Sequence, residues 1–93
     1  MAVKSLDTDQ ARTTASVFDA CRDSIGQSEF GRLMSSVNDV SAQWSGGSRT
    51  QFENEWSNWS NQLQALMLEL ERLAGGLRRE ADEFDQADQA FGG

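Results

Sequence analysis

The stretch Trp44-Ser45-Gly46-Gly47-Ser48 divides the chain into two long segments, neither of which contains a proline. Adjacent glycines break helices strongly, because glycine takes positive φ values at no steric cost. Ser48, with Gln51 three residues further on, has the spacing of a capping box that begins a new helix. The stretch therefore predicts one helix, a turn over residues 44–47 and a second helix.

The first helix is predicted over residues 8 to about 43. Asp7, followed by Gln10 at the third helical position, is expected to cap its amino terminus. The apolar spacing slips between Gly26 and Gly31, and each glycine costs about 1 kcal/mol relative to alanine inside a helix. We therefore expect a bend or a loosened turn there.

The second helix is predicted over about residues 48–90, and its apolar residues alternate steps of four and three without a break. That 3.5-residue period is typical of a left-handed coiled-coil seam. The predicted core and dimer seam is formed by Phe18, Ile25, Leu33, Val37, Phe52, Trp56, Trp59, Leu63, Leu66, Leu70, Leu73 and Leu77. Surface ion pairs four residues apart are expected at Arg49–Glu53, Arg78–Asp82 and Arg79–Glu83.

When two helices lie side by side, each covers one apolar stripe on the other, and the residues that flank each stripe stay exposed to solvent. Met34, Met67 and Leu68 widen the apolar surface beyond what one partner helix covers. The sequence therefore predicts an all-α protein of one domain, residues 1–93, folded as an antiparallel helix-turn-helix hairpin. Two hairpins are expected to pair into a four-helix-bundle dimer.

Composition excludes several function classes. The net charge is −7, with fifteen acidic and eight basic residues, which argues against nucleic-acid binding. No apolar run approaches the roughly 18 residues that a transmembrane helix needs. The first seven residues lack the apolar region of a cleavable secretory signal, and that feature alone would favour the cytoplasm.

Neither catalysis nor metal binding is expected. The chain has no histidine, which removes the commonest general base and metal ligand, and the acids near its carboxyl end do not form a metal-binding motif. No enzyme activity, cofactor, metal or small-molecule substrate is predicted. Cys21, the single cysteine, is expected to be a small buried residue, with intermolecular pairing as the alternative.

An aromatic, an acid and an aromatic share one helical face near the carboxyl end, at Phe84, Asp88 and Phe91. This arrangement suits docking of a helix into a groove, where apolar anchors fill pockets and one charge fixes the register. An equally supported interpretation is that the two phenylalanines continue the apolar seam as core residues.

The chain resembles the WXG family, the early-secretory-antigen-like substrates of type VII secretion systems. Trp44-Ser45-Gly46 lies between two long helices, as the family motif does, and the likeness covers essentially the whole chain. Family members carry a carboxy-terminal secretion signal, Tyr-X-X-X-Asp/Glu. Phe84 and Asp88 look like its counterpart, with phenylalanine in place of the tyrosine, and Phe91 matches a further apolar position of the longer pattern.

This resemblance implies a small protein that dimerises in the cytoplasm, with itself or with a similar chain. The folded dimer would then be recognised by the secretion ATPase and exported without a cleaved signal peptide, as a virulence or secretion-associated factor. The turn around Trp44 of one subunit would join the other subunit's tail in one recognition surface. The alternative is a non-secreted helical adaptor or assembly chaperone that acts only through coiled-coil pairing. A membrane-active helical protein is disfavoured by the acidic surface.

Overall fold

The computed structural model describes residues 6–90 and shows an antiparallel helical hairpin that measures 70 × 22 × 18 Å. The first arm consists of helix α1 (Thr8–Ser24), a π-helical turn (Ile25–Glu29) and helix α2 (Phe30–Ala42). The second arm is a single helix, α3 (Gly47–Ala90). Both arms are helical along their length, and they are joined by the short connection that contains Trp44.

Helix α1 begins with the predicted cap. The Asp7 carboxylate accepts a hydrogen bond from the backbone N–H of Gln10 at 3.0 Å, and the Asp7 carbonyl accepts one from Ala11 at 2.9 Å. The cap therefore satisfies an N–H group that the first turn of a helix leaves without a partner.

The loosened turn that the glycines predict is confirmed, and it takes the form of the π-helical turn Ile25–Glu29. A π-helical turn carries an extra residue, so it rotates α2 relative to α1 and changes which residues face α3. Gly26 lies in this turn against α3, where an added Cβ would stand 3.6 Å from the Met67 sulfur.

The connection between α2 and α3 depends on one glycine conformation. Gly46 has φ of +109°, the one positive φ among the described residues, and α3 begins at the next residue, Gly47. The Gly46 carbonyl then accepts the backbone N–H of Arg49 at 3.2 Å. Ser48 is thus the second residue of α3, so the prediction that it caps this helix is wrong.

The two arms approach each other most closely between α1 and α3. Alanine makes this approach possible: the buried apolar residues of the described chain are Ala11, Ala15, Ala74 and Ala81. Small side chains let two helices come close, whereas bulky ones hold them further apart. Near the turn the contacts are aromatic, and the rings of Phe30 and Trp56 stack at 6.2 Å.

The face of α3 that lies against the first arm follows an alternation of four and three residues. We call it the inner face: Trp56, Ser60, Leu63, Met67, Leu70, Ala74, Leu77 and Ala81, all of them buried or half-buried. Of the predicted seam, Trp56, Leu63, Leu70 and Leu77 lie on this face, and Phe52, Phe18, Ile25 and Val37 are also half-buried. Trp59, Leu66 and Leu73 are exposed in the single chain, as is Leu33.

Cys21 is exposed, so the prediction that it is buried is wrong. The buried residues of α1 that face α3 are Ala11 and Ala15, and Cys21 lies outside that face of the helix. Helical spacing alone placed Cys21 beside Phe18 and Ile25. The buried alanine contact covers less of the helix surface than the apolar stripe predicted from this spacing.

Candidate recognition sites at the two ends of the hairpin

The turn end of the hairpin is organised by Trp44. Its indole is half-buried and tilted against the ring of Phe52, with centroids 5.4 Å apart, and its Nε1–H donates to the Ser48 hydroxyl at 3.2 Å. The rings of Trp56 and Trp59 stack on each other at 5.3 Å, further along α3.

Trp44 is also held through its backbone. The Arg49 guanidinium donates to the Trp44 carbonyl at 3.4 Å and lies 3.4 Å from Glu53 in the one expected surface pair that forms among the described residues. Ser45 and Gly46 are exposed at the tip. The indole is thus fixed in position while the backbone beside it stays accessible.

The tail end carries the sequence-predicted motif on a formed helix. Phe84 is half-buried and Asp88 is exposed one turn later, and α3 continues to Ala90. Phe91, the third residue of the predicted motif, lies outside the described residues. The structure therefore places the aromatic and the acid on one face of α3 and leaves the carboxylate open to solvent.

Sequence reasoning missed the contact that fixes this end. Arg12 of α1 donates to Asp85 at 2.7 Å and to Asp82 at 2.9 Å, and we call this three-residue contact the Arg12 clamp. The pKa of Asp85 lies below its usual value, mainly because the Arg12 guanidinium donates a hydrogen bond to the carboxylate and also because the Thr8 hydroxyl donates another. The clamp holds the predicted motif against the start of α1.

Other charged residues also pair across the hairpin. The expected Arg78–Asp82 pair is wrong, because Arg78 donates to Asp19 of α1 at 2.6 Å while Asp82 contacts Arg12. Acids spaced three and four residues apart on α3 could have indicated an arginine across from them. Finding that arginine, however, requires the register of the two arms.

The two candidate sites lie at opposite ends of the molecule. Phe84 lies 37 positions after Gly47 on α3, which corresponds to about 55 Å at 1.5 Å per residue. Within one chain Trp44 and Asp88 therefore cannot belong to one surface. A surface that combines them requires a second chain laid antiparallel to the first.

Metal binding and membrane insertion find no support among the described residues. Residues 6–90 contain no group of three or more side chains placed to hold a metal ion. Across the same residues, none of the helices combines the length and the apolar character that crossing a bilayer requires.

Comparison with known proteins identifies solved structures with the same fold. The chain is similar in structure to the secreted protein EsxB of Bacillus anthracis strain Sterne. With the selenomethionine-labelled form it shares 26% identity and a TM-score of 0.77, over 95% of this chain and 99% of that one. With the wild-type form the identity is 26% and the TM-score 0.76, over 91% and 97%.

No curated protein sequence matches the chain. A family model does match, over residues 5–89, and it describes proteins of 100 residues with a Trp-X-Gly motif. Trp44-Ser45-Gly46 supplies that motif at the bend between α2 and α3. The chain therefore belongs to the WXG100 family.

Proposed function

We propose that this chain is a small protein exported by a type VII secretion system. Two findings support the proposal: membership of the WXG100 family, and a hairpin that matches the secreted protein EsxB along almost the whole of both chains. Export by this route requires no cleaved amino-terminal signal, so a chain made and paired in the cytoplasm reaches the outside folded.

The tail of α3 is the part that the secretion ATPase recognises in this proposal. The observation that carries this assignment is the exposed carboxylate of Asp88 one turn after the half-buried ring of Phe84, on a helix that is already formed. A preformed helix loses little conformational entropy when it docks into a groove. Phe84 would fill a pocket there, and Phe91 would add a second apolar anchor.

Pairing with another hairpin completes the proposed recognition surface. Because Trp44 and Asp88 of one chain lie at opposite ends, an antiparallel second chain brings its own turn beside the tail of the first. The partner is a second copy or a similar chain, and both would present a Trp-X-Gly turn to the neighbouring tail.

The alternative function, a helical adaptor that is not exported, draws on one observation. Phe84 is half-buried and the Arg12 clamp fixes the adjacent Asp85, as expected for an ordinary packed helix end. In that case Phe84 and Asp88 would serve the fold alone. The two functions therefore differ in what happens when these side chains are removed.

Replacing Phe84 and Asp88 together with alanine tests the proposal in a host with an active type VII system. Export to the medium and binding to the ATPase are expected to fall to background, while the sedimentation mass of the purified protein stays the same. The matched control replaces Glu83 and Gln86 with alanine, two exposed residues on the same turns of α3. Export of the Phe84/Asp88 variant at the level of this control would refute the assignment of the signal.

A further inference from the structure

The Arg12 clamp encloses the aromatic residue of the proposed secretion signal. Asp82 and Asp85 stand three positions apart on α3, and Phe84 lies between them in the sequence. One guanidinium contacts both carboxylates, at 2.9 and 2.7 Å. It can do so because a helical turn makes side chains three positions apart into neighbours. The clamp therefore fixes the helical turn that carries Phe84.

The clamp and the proposed signal occupy different sides of α3. Successive residues of a helix are rotated by about 100°, so Asp88 lies within about 40° of Phe84, whereas Asp82 lies about 160° from it. Ala81, which is fully buried, falls between the directions of Phe84 and Asp82. Arg12 thus holds one side of the helix and leaves Phe84 and Asp88 on the other side of the Ala81 contact.

The clamp is also the last polar contact between the two arms before the end of α3. Among residues 6–90, no side-chain hydrogen bond or ion pair joins α3 to the first arm beyond Asp85. The nearest one before the clamp is the Arg78–Asp19 pair, at 2.6 Å. Without the clamp, the last polar contact that fixes α3 would therefore lie about two helical turns further from the tail.

The end of α3 needs such a contact because its own charges repel one another. Residues 80–90 contain no basic residue and five acids, which are Glu80, Asp82, Glu83, Asp85 and Asp88. Carboxylates three and four positions apart are neighbours and destabilise a helix, and acids in its last turn also oppose its dipole. Arg12 supplies from α1 the positive charge that this part of α3 lacks.

We infer that Arg12 is a positioning residue for the proposed secretion signal. From α1, it keeps the turn around Phe84 helical, so that Phe84 and Asp88 meet the secretion ATPase as one preformed face. A tail that is helical for only a fraction of the time binds more weakly by that fraction. This inference rests on the proposed function and adds to it a residue 70 and 73 positions away from the acids that it binds.

Amide hydrogen exchange on the purified full chain measures the order of the tail. Arg12→Gln keeps a polar side chain but removes the charge, and exchange over residues 82–90 is expected to quicken roughly tenfold or more, with no change over residues 60–70. The matched control is Arg32→Gln, because Arg32 pairs with Glu29 of its own arm, at 3.6 Å. Sedimentation mass and thermal midpoint are expected to match this control, since exposed ion pairs contribute little to global stability.

Export and binding to the ATPase measure the consequence of that order. In a host with an active type VII system, Arg12→Gln is expected to lower both by roughly threefold or more, while Arg32→Gln stays at the wild-type level. Arg12→Lys is expected to keep most of the export. The Nη2 atom of Arg12 makes both contacts of the clamp, so a lysine ammonium, which is a compact point charge, can take its place.

A reversed pair distinguishes positioning from direct contact with the ATPase. Arg12→Glu combined with Asp85→Arg exchanges the two charges and is expected to restore slow exchange and export, relative to Arg12→Glu alone. Slow exchange without export would mean that Arg12 touches the ATPase, and would overturn the positioning role. Exchange or export of Arg12→Gln equal to that of Arg32→Gln would overturn it as well, with the proposed function intact. Normal export of the Phe84/Asp88 variant would instead overturn the proposed function, and this inference with it.

Discussion

The conformation of the turn depends on one residue, Gly46. Its φ of +109° is a conformation that side chains with a Cβ rarely adopt, whereas the next residue, Gly47, is helical. Gly46→Ala is therefore expected to lower the free energy of unfolding by about 1–2 kcal/mol. Urea denaturation followed by far-UV circular dichroism measures the change.

Gly47→Ala is the matched control for this prediction. An added Cβ at Gly47 meets no atom within 4 Å, and alanine is the better helix former. The control is expected to change the free energy of unfolding by a few tenths of a kcal/mol or to raise it. Equal losses in the two variants would mean that the conformation of Gly46 does not limit the turn.

Asp85 makes the tail end sensitive to acid. Its folded-state pKa is lowered by the Arg12 and Thr8 hydrogen bonds, so the ionised form is favoured in the folded chain. The stabilisation is present above the unfolded-state value of about 3.9 and is lost as the pH falls through the lower, folded-state value. Asp85→Asn is expected to flatten the loss of stability between neutral pH and acid.

The same titration on Asp88→Asn is the control, because Asp88 is exposed and lies outside the Arg12 clamp. Urea midpoints measured across the pH range at fixed protein concentration give the comparison. If the Asp85 and Asp88 variants kept the same acid sensitivity as the wild-type chain, the clamp would contribute nothing to it.

At the scale of the elements, α1 packs closely against α3 because the side chains at their contact are small. Ala15 is fully buried, whereas Ala20 of the same helix is exposed. Ala15→Leu is expected to force the helices apart and to cost about 1–3 kcal/mol. Ala20→Leu, the matched control, is expected to be nearly neutral. Equal thermal midpoints for the two variants would contradict the close alanine packing.

How far the sequence predicts each element depends on how local its chemistry is. The Asp7 cap and the glycine turn at residue 46 follow from neighbours in the chain, so both could be read from the residues. The loosened turn between Gly26 and Gly31 was also predictable, because the apolar spacing slips there. Its π-helical form was not, since an extra residue in a turn leaves no distinct pattern.

Contacts between the arms were harder to predict. The 3.5-residue period placed Trp56 and Leu63 correctly on the inner face. It could not show that Ser60, Met67 and Ala74 complete that face, because hydrophobicity favoured the larger residues one position earlier. Close approach of two helices selects small side chains, and this property appears only once both helices are in place. The Arg12 clamp likewise joins residues 70 and 73 positions apart.

For the whole molecule, the hairpin is a long structure with a thin core. Among residues 6–90 the buried apolar residues are alanines, and the large apolar side chains are half-buried or exposed. Burying a large apolar side chain contributes about 1.5–3 kcal/mol, and much of that contribution is missing in the single chain. We therefore expect the hairpin to be stable only when another chain covers α3.

Sedimentation equilibrium of the purified chain at micromolar concentration, with no related protein present, tests this central claim most directly. The expected result is the mass of two chains, close to 20.6 kDa from a chain mass of 10.3 kDa, with a thermal midpoint that rises with protein concentration. A single chain that sediments as a compact monomer and melts cooperatively at a temperature independent of concentration would contradict it.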